Sequence, residues 1–294
     1  MQAQINKRII FWLPAGRLGN LIFQYQAALN FIADGAIVVS PEIGLSDVIQ
    51  TNIHFKFIYV PMFLRDRFMQ FWIFTFRLLL KYKVIGVIKP LLIEENGYFV
   101  ESKELIEDPG FFSSFWAIEG FFQNNLYVEP APKIKSSLLN DAERALINIP
   151  AQRRVAIHLR FQDYIEFTVL GIKGAILPLS FYEVAIATMK LRLANPVFII
   201  FTDDRKKAFN LIGYGDEFIF LNKKSLGFDI AAMSLCSHAI ISASTFAWWG
   251  AFLIKSPDRI VIAPTYWAGF KSRVWYPKDI FTKKYEYIDV NWIE

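Results

Sequence analysis

The feature that most constrains this chain is a short run, Val155-Ala156-Ile157-His158-Leu159-Arg160, in which an apolar stretch suited to a fully buried strand stops abruptly at a guanidinium. The same construction recurs further on. Val197 to Phe201 runs into Thr202-Asp203-Asp204, and Ala239 to Ser242 runs into Ala243-Ser244-Thr245-Phe246-Ala247-Trp248-Trp249-Gly250. Strands apolar on both faces belong to a parallel sheet covered by helices, and the intervening segments are long enough to be those helices. The polar residues that end each run then collect at one edge of the sheet, outside the carboxyl ends of the strands, where ligands of such sheets bind.

The spacing predicts a strand at 155–159, a helix from about Ser180 to Arg192, a strand at Val197–Phe201 and a helix from Asp204 to Ile212. Strand Phe218–Leu221, helix Asp229–Leu235, strand Ala239–Ser242, helix Phe246–Ile254 and strand Ile260–Ala263 follow. The chain opens in the same way. Arg8 to Leu13 is a strand, Pro14-Ala15-Gly16-Arg17-Leu18-Gly19-Asn20 a glycine turn, Leu21 to Ala33 a helix closed by Gly35, and Ala36 to Val39 the next strand. Residues 42 to 130 carry long aromatic stretches and few clean caps; within them Trp116 to Gln123 reads as a strand or strand end. A helix from Leu138 to Leu146 and a linker at Ile149 to Arg154 then divide the chain. The expectation is an α/β protein of two Rossmann-like domains, 1–150 and 151–294, facing one cleft.

Each strand end offers specific chemistry. A guanidinium after strand 155–159 suits two phosphate oxygens and the charge of a departing diphosphate; the competing reading of Arg160 is an interdomain salt bridge. His158 points the same way as Arg160 along a strand, and by itself reads equally as a satisfied core histidine. Ser244 and Thr245 suit a helix N-cap, which is also where an anion finds N–H groups and a favourable dipole. In Thr202-Asp203-Asp204, one carboxylate is expected to cap the next helix, because a free carboxylate beside a diphosphate is repelled. Gly16 and Gly19 permit close backbone approach, and Asn20 can both donate and accept hydrogen bonds at a helix start. Neither a Walker loop nor a G-x-G-x-x-G run is present.

Composition narrows the partners. A chain of 294 residues that is 54% hydrophobic and 17% aromatic can bury a core in each of two domains. The net charge of +5 is dispersed and accompanies no nucleic-acid-binding pattern, so nucleic acid is not an expected partner. His54, His158 and His238 are scattered and there is no Asp-x-Asp triplet, which points away from a bound metal. The single cysteine, Cys236, fits a reducing cytoplasm and a bacterial source. The start of the chain shows no signal-peptide cleavage pattern, and no run of about 20 apolar residues is long enough to span a membrane. Met62 to Ile93 is rich in aromatics interrupted by Arg65, Asp66, Arg67, Arg77, Lys81, Lys83 and Lys89. It reads as a surface helix, either packed on the core with its basic face in water or dipping aromatics into an anionic membrane.

Together, GRLGNLIFQYQAA (16–28), GFFQ (120–123), HLRFQDY (158–164), FTDD (201–204) and SASTFAWWGA (242–251) resemble, in order, the motifs of the bacterial α-1,2-fucosyltransferases. That family comprises inverting, metal-independent transferases of GT-B type. The resemblance implies an acceptor-side domain at 1–150 and a GDP-sugar-binding domain at 151–294. It assigns the donor diphosphate to Arg160, guanine to His158 and Asp229, and the phosphate surroundings to Ser244 and Thr245. The Gly16-Arg17-Leu18-Gly19 turn lines the donor side, and Asn20 lies near the reacting centre. The implied reaction moves L-fucose from GDP-β-L-fucose to the 2-hydroxyl of a sugar, commonly galactose, with no cofactor beyond the donor. A carboxylate would take the acceptor proton, with Asp163 and Glu166 the candidates by position. The implied acceptor is an oligosaccharide of a bacterial surface glycan, lipid-linked and met at the cytoplasmic face of the inner membrane in the membrane-surface reading. One position departs: the family usually has a second Arg after the first, and this chain has Phe161. That leaves open another GDP-deoxyhexose such as GDP-colitose as donor, or a glycan-binding member that has lost its chemistry.

Overall fold

In the computed structural model, residues 8–32, 35–95, 97–213, 215–221 and 225–291 are described. The chain divides into two compact units, one of residues 1–95 and 99–133, the other of residues 96–98 and 134–294.

In the first unit, β1 (Ile9–Leu13) leads through the glycine turn into α1 (Leu18–Ile32) and then β2 (Ile37–Pro41) and β3 (Phe55–Ile58). After α2 (Arg65–Lys81) come β4 (Ile85–Glu95), β5 (Tyr98–Asp108) and β6 (Phe112–Glu119). The sheet order is β3-β2-β1-β6-β4-β5, and β1 pairs in parallel with both β2 and β6. The chain therefore steps outward from β1 to β3 and returns to the other side of β1, so the direction of winding reverses between β1 and β6. The apolar stretch Met62–Ile93 is helical only as far as Lys81; from Ile85 it is strand, because Gly86, Ile88 and Pro90 alternate into buried positions after a register shift at Ile85/Gly86, and Gly86 lets Trp116 lie against β4. α2 packs Trp72 and Phe76 against Leu13, Ile85 and Ala117, and the Trp72 indole N–H donates to the Trp12 carbonyl at 2.9 Å.

The second unit begins with α3 (Ser136–Leu146), followed by β7 (Arg154–Leu159), a short hairpin of β8 (Thr168–Val169) and β9 (Ile172–Lys173), and α4 (Leu179–Arg192). The remaining elements are β10 (Val197–Thr202), α5 (Arg205–Ile212), β11 (Phe218–Phe220), α6 (Leu226–Ser234), β12 (His238–Ile240), α7 (Thr245–Phe252), β13 (Val261–Pro264) and β14 (Glu286–Ile288). The sheet is parallel throughout, in the order β11-β10-β7-β12-β13-β14. Val155, Ile157 and Leu159 face a core built with Phe181, Ala185 and Met189 of α4 and Ala208 of α5. The intervening residues face the side of α6 and α7.

The division falls at 133/134, ahead of the expected 150/151. The stretch 149–154, expected as a linker, is built into the second unit. Arg154 is 4% exposed, with its guanidinium on the Glu143 carboxylate and the carbonyls of Leu146 and Ile149. A buried guanidinium needs all of those acceptors, and they come from α3 and the turn after it, so α3 cannot belong elsewhere. None of the described helices is long and apolar enough to cross a membrane.

Candidate active site

The second sheet also reverses its winding. From β7 the chain steps to β10 and β11, then returns to place β12 on the opposite side of β7. Ligands of parallel sheets bind at the carboxyl ends flanking such a reversal. Here those ends carry Arg160 after β7, Asp203 after β10, and the Ser242–Thr245 loop after β12.

Arg160 has a side chain only 14% exposed, and both of its ionic partners lie in its own unit. The Asp163 Oδ1 atom is 2.8 Å from Nε and 2.8 Å from Nη2, and the Asp203 Oδ2 atom is 3.2 Å from Nε. The interdomain salt bridge weighed as the alternative is therefore not what holds Arg160. The Tyr164 ring lies beneath the guanidinium, 5.7 Å from its centre. Its hydroxyl donates to the Ala243 carbonyl at 2.7 Å and also engages Ser244, so the loops after β7 and β12 are joined through one side chain. Burial keeps that phenol protonated, raising its pKa well above the ordinary value.

The carboxylate pair after β10 divides its work. Asp204 caps α5, accepting the Lys207 N–H at 3.0 Å, as one of the two was expected to do. Asp203 instead accepts the backbone N–H groups of Phe161 and Gln162 at 3.0 and 3.2 Å, and the Gln162 amide donates back to its carbonyl at 2.8 Å. Asp203 thus shapes the loop that presents Arg160.

His158 lies on the opposite face of β7 from the α4 core, 4% exposed. Its Nδ1 is 2.8 Å from Ser242 Oγ, and Phe246 of α7 lies beside the ring at 5.8 Å. Burial pushes its pKa down to about 4, so the ring is neutral near pH 7 and offers hydrogen bonds rather than charge. Ser244 occupies the N-cap position of α7, but its hydroxyl makes no capping bond. Thr245 opens the helix, half-buried. Asp229 sits in the first turn of α6, half-buried, behind the Ser225 cap that accepts the Phe228 N–H at 3.1 Å.

The first unit repeats the arrangement at its own reversal. The turn after β1 and the turn after β6 are tied by a 2.7 Å bond from the Gln123 amide to Asn20 Oδ1. Gly16 has φ +78°, and a Cβ there would fall inside the Asn20 side chain, so only glycine lets Asn20 fold back over the turn. Gly19 is buried in the first turn of α1, while Arg17 is exposed. Buried Gln24 braces the turn from below: its carbonyl accepts the Trp12 indole N–H and the Ala15 N–H, and its amide donates to the Ala15 carbonyl at 2.7 Å. The turn after β6 rests on Glu101, which accepts the N–H groups of Phe121 and Phe122. Burial raises the Glu101 pKa against the opposing effect of those bonds.

The structure thus gathers His158, Arg160, Asp163, Ser244 and Thr245 at one sheet edge in the second unit. Glu166 stands further along the same loop, exposed and 2.6 Å from Lys173. Asn20, Gly16, Arg17 and Gly19 form a separate cluster in the first unit. Phe161 points the other way from Arg160, 5% exposed, into the α4-side core with Leu159, Leu177, Phe181 and Phe270. Among the described residues, no group of three His, Cys, Asp or Glu side chains is placed to hold a metal ion. Tyr164, Gln24, Glu101 and the separate role of Asp203 were not expected from the sequence; Tyr164, Gln24 and Asp203 lie inside the quoted motifs, so their positions were visible though their roles were not.

The sequence model of glycosyl transferase family 11 matches residues 111–289. An O-antigen biosynthesis glycosyltransferase of Escherichia coli, WbnK, is 33% identical over 115 residues, 38% of each chain. An α-1,2-colitosyltransferase of E. coli is 31% identical over 159 residues, 50% of this chain and 54% of that one. The chain thus matches about half or less of the length of these relatives. Among solved structures, the fucosyltransferase NodZ from Bradyrhizobium aligns with a TM-score of 0.49 at 13% identity, covering 87% of this chain and 95% of that one.

Proposed function

We propose, since this chain belongs to glycosyl transferase family 11, that it moves a 6-deoxyhexose, L-fucose in the first instance, from its GDP-linked donor to the 2-hydroxyl of a galactose-type sugar in a bacterial surface glycan. The observation that carries this reading is the position of Arg160: a guanidinium at the winding reversal of a parallel sheet, braced by Asp203 and linked through Tyr164 to the N-terminus of α7. A diphosphate there meets a bidentate cation on one side and a helix start on the other. His158, neutral and oriented by Ser242, and Asp229 are the groups proposed for guanine. The second unit is the proposed donor side and the first the acceptor side.

In the proposed step the acceptor oxygen forms a bond to the anomeric carbon from the face opposite the diphosphate. The bond from that carbon to the phosphate oxygen breaks, its electron pair leaves with GDP, and Arg160 neutralises the charge that develops. The hydroxyl proton passes to a carboxylate, with Asp163 preferred to Glu166 because Asp163 lies against Arg160 at 2.8 Å whereas Glu166 stands further along the loop on Lys173. Asn20, held by Gln123, is proposed to orient the acceptor. No step requires a metal ion.

A second donor is favoured by one finding, the 31% identity to an α-1,2-colitosyltransferase. The non-catalytic alternative rested on Phe161 alone, and a side chain buried in the core is no sign of lost chemistry. For location, α2 supports contact with a membrane surface: Phe71, Phe74 and Leu78 are exposed on the face opposite Trp72 and Phe76, interleaved with Arg67 and adjoining Lys81. The deciding experiment incubates the protein with GDP-fucose, GDP-colitose and GDP-mannose and follows hydrolysis and transfer to galactosides, with the linkage read by NMR. Transfer from GDP-fucose or GDP-colitose to the 2-position is the expected result; turnover of neither defeats the proposal.

A further inference from the structure

Arg160 is held by two carboxylates whose grips differ. The Asp203 side chain is 12% exposed and carries two backbone N–H groups besides its contact with the guanidinium. Moving it would strand both donors and open the loop after β7. The Asp163 side chain is 42% exposed and begins a single helical turn, Asp163–Ile165, on the solvent side of Arg160. Its one oxygen bridges Nε and Nη2, the edge by which a guanidinium receives a phosphate. Tyr164 covers the guanidinium on another side and is fixed to the neighbouring loop at Ala243. With two carboxylates in place the trio has a net charge of −1, an unfavourable partner for a diphosphate.

From this asymmetry we infer that Asp163 is a displaceable placeholder: the incoming diphosphate takes over the Nε and Nη2 edge of Arg160, and Asp163 leaves it while Asp203 and Tyr164 keep the guanidinium in position. The exchange rests on the reading of Arg160 as the diphosphate site. Its consequence is that a carboxylate becomes free beside the donor only when the donor is bound, so the proton acceptor is unavailable at an empty site and the acceptor hydroxyl is deprotonated only once the donor is in place. Asp163 is thereby distinguished from Asp203, which is a positioning residue throughout.

The test is calorimetric titration of GDP into the full chain as wild type, Asp163→Asn and Asp203→Asn, each checked by thermal melting. Absence of GDP binding by the wild type would defeat the diphosphate reading itself, and the comparison of variants then does not arise. With wild-type binding established, Asp163→Asn is expected to bind GDP about three- to tenfold more tightly, since a competing anion is removed, and to lower both KM for the donor sugar and kcat. Asp203→Asn is expected to bind GDP at least about tenfold more weakly, the guanidinium having lost its brace. Unchanged or weaker GDP binding in Asp163→Asn would make Asp163 a fixed brace and overturn the inference. Because Asp163 is on the surface, its variant should fold even where Asp203→Asn does not, and the Asp163 arm decides alone.

Discussion

The motif resemblance leads one to expect a second arginine after Arg160 where this chain has Phe161, and the structure predicts that Phe161→Arg is harmful. Phe161 is 5% exposed and packs with Leu159, Leu177, Phe181 and Phe270 on the α4 side of the sheet. Removing a buried phenylalanine costs about 3–5 kcal/mol, of which roughly 1.5–3 is transfer from water and the rest the unfilled space. The guanidinium must then either remain in an apolar pocket without acceptors or pull the loop outward, and either adds several kcal/mol. Domains have only about 5–15 kcal/mol in total. The loop also positions the Phe161 N–H on Asp203, so moving it disturbs Arg160 as well.

Equilibrium urea unfolding followed by tryptophan fluorescence measures this, since Trp248, Trp249 and Trp267 are buried in the same unit. Phe161→Arg should lose at least about 4 kcal/mol or fail to accumulate folded, whereas Phe161→Leu, an apolar replacement, should lose no more than about 1.5 kcal/mol. A Phe161→Arg protein with the wild-type midpoint and altered GDP affinity would show that the side chain faces the site, and would refute the placement.

Arg160→Ala should fold and lose most transfer activity, and Arg160→Lys should recover little of it, because an ammonium cannot reproduce the fork; steady-state kinetics at matched circular dichroism check both. Transfer should persist in excess chelator, and loss reversed by manganese or magnesium would contradict the metal-free step. Stability should fall in acid: His158 has a pKa of about 4 when folded against 6.5 otherwise, so the unfolded chain takes the proton first. The stability is whole above 6.5 and is lost as pH falls towards 4, by a total of the order of 3 kcal/mol, and His158→Gln should flatten that slope in pH-dependent denaturation. Phe71→Ser with Phe74→Ser should abolish co-sedimentation with anionic vesicles at low salt; equal wild-type binding to neutral vesicles would count against the electrostatic part of that reading.

The αβ succession of the second unit was legible because its strands are apolar on both faces and their ends are marked by charge or hydroxyl. Even the fate of Phe161 follows from alternation: with Arg160 on the face of β7 away from α4, its neighbour turns to the other. Less was legible in 42–130. There a long aromatic run crosses from α2 into β4 with neither proline nor glycine at the junction Tyr82-Lys83-Val84, so nothing in the sequence marks where helix gives way to strand. The linker expected at 149–154 was mistaken for a physical reason. Two arginines beside a proline look solvated, and only the fold supplies the carbonyls and carboxylate that bury Arg154.

The motifs themselves contain two kinds of residue that a sequence cannot separate. In FTDD, one carboxylate caps a helix and the other shapes the loop after a neighbouring strand, 42 positions away at Phe161; both are aspartates, adjacent, at a strand end. In HLRFQDY, Arg160 is the proposed diphosphate contact while Tyr164 fastens the loop that carries it to the next loop. In each unit the turn after the central strand is bonded to the turn after the strand that lies across the reversal, by Gln123 to Asn20 in the first and by Tyr164 to Ala243 in the second. A parallel sheet opens a crevice at that point, and two loops left independent there would each lose conformational entropy when a ligand ordered them. Joining them beforehand transfers that cost to folding, so binding energy from the ligand remains for the reaction. Substituting either tie, Gln123 or Tyr164, should therefore weaken ligand binding more than it lowers the melting temperature, although neither side chain needs to touch the ligand.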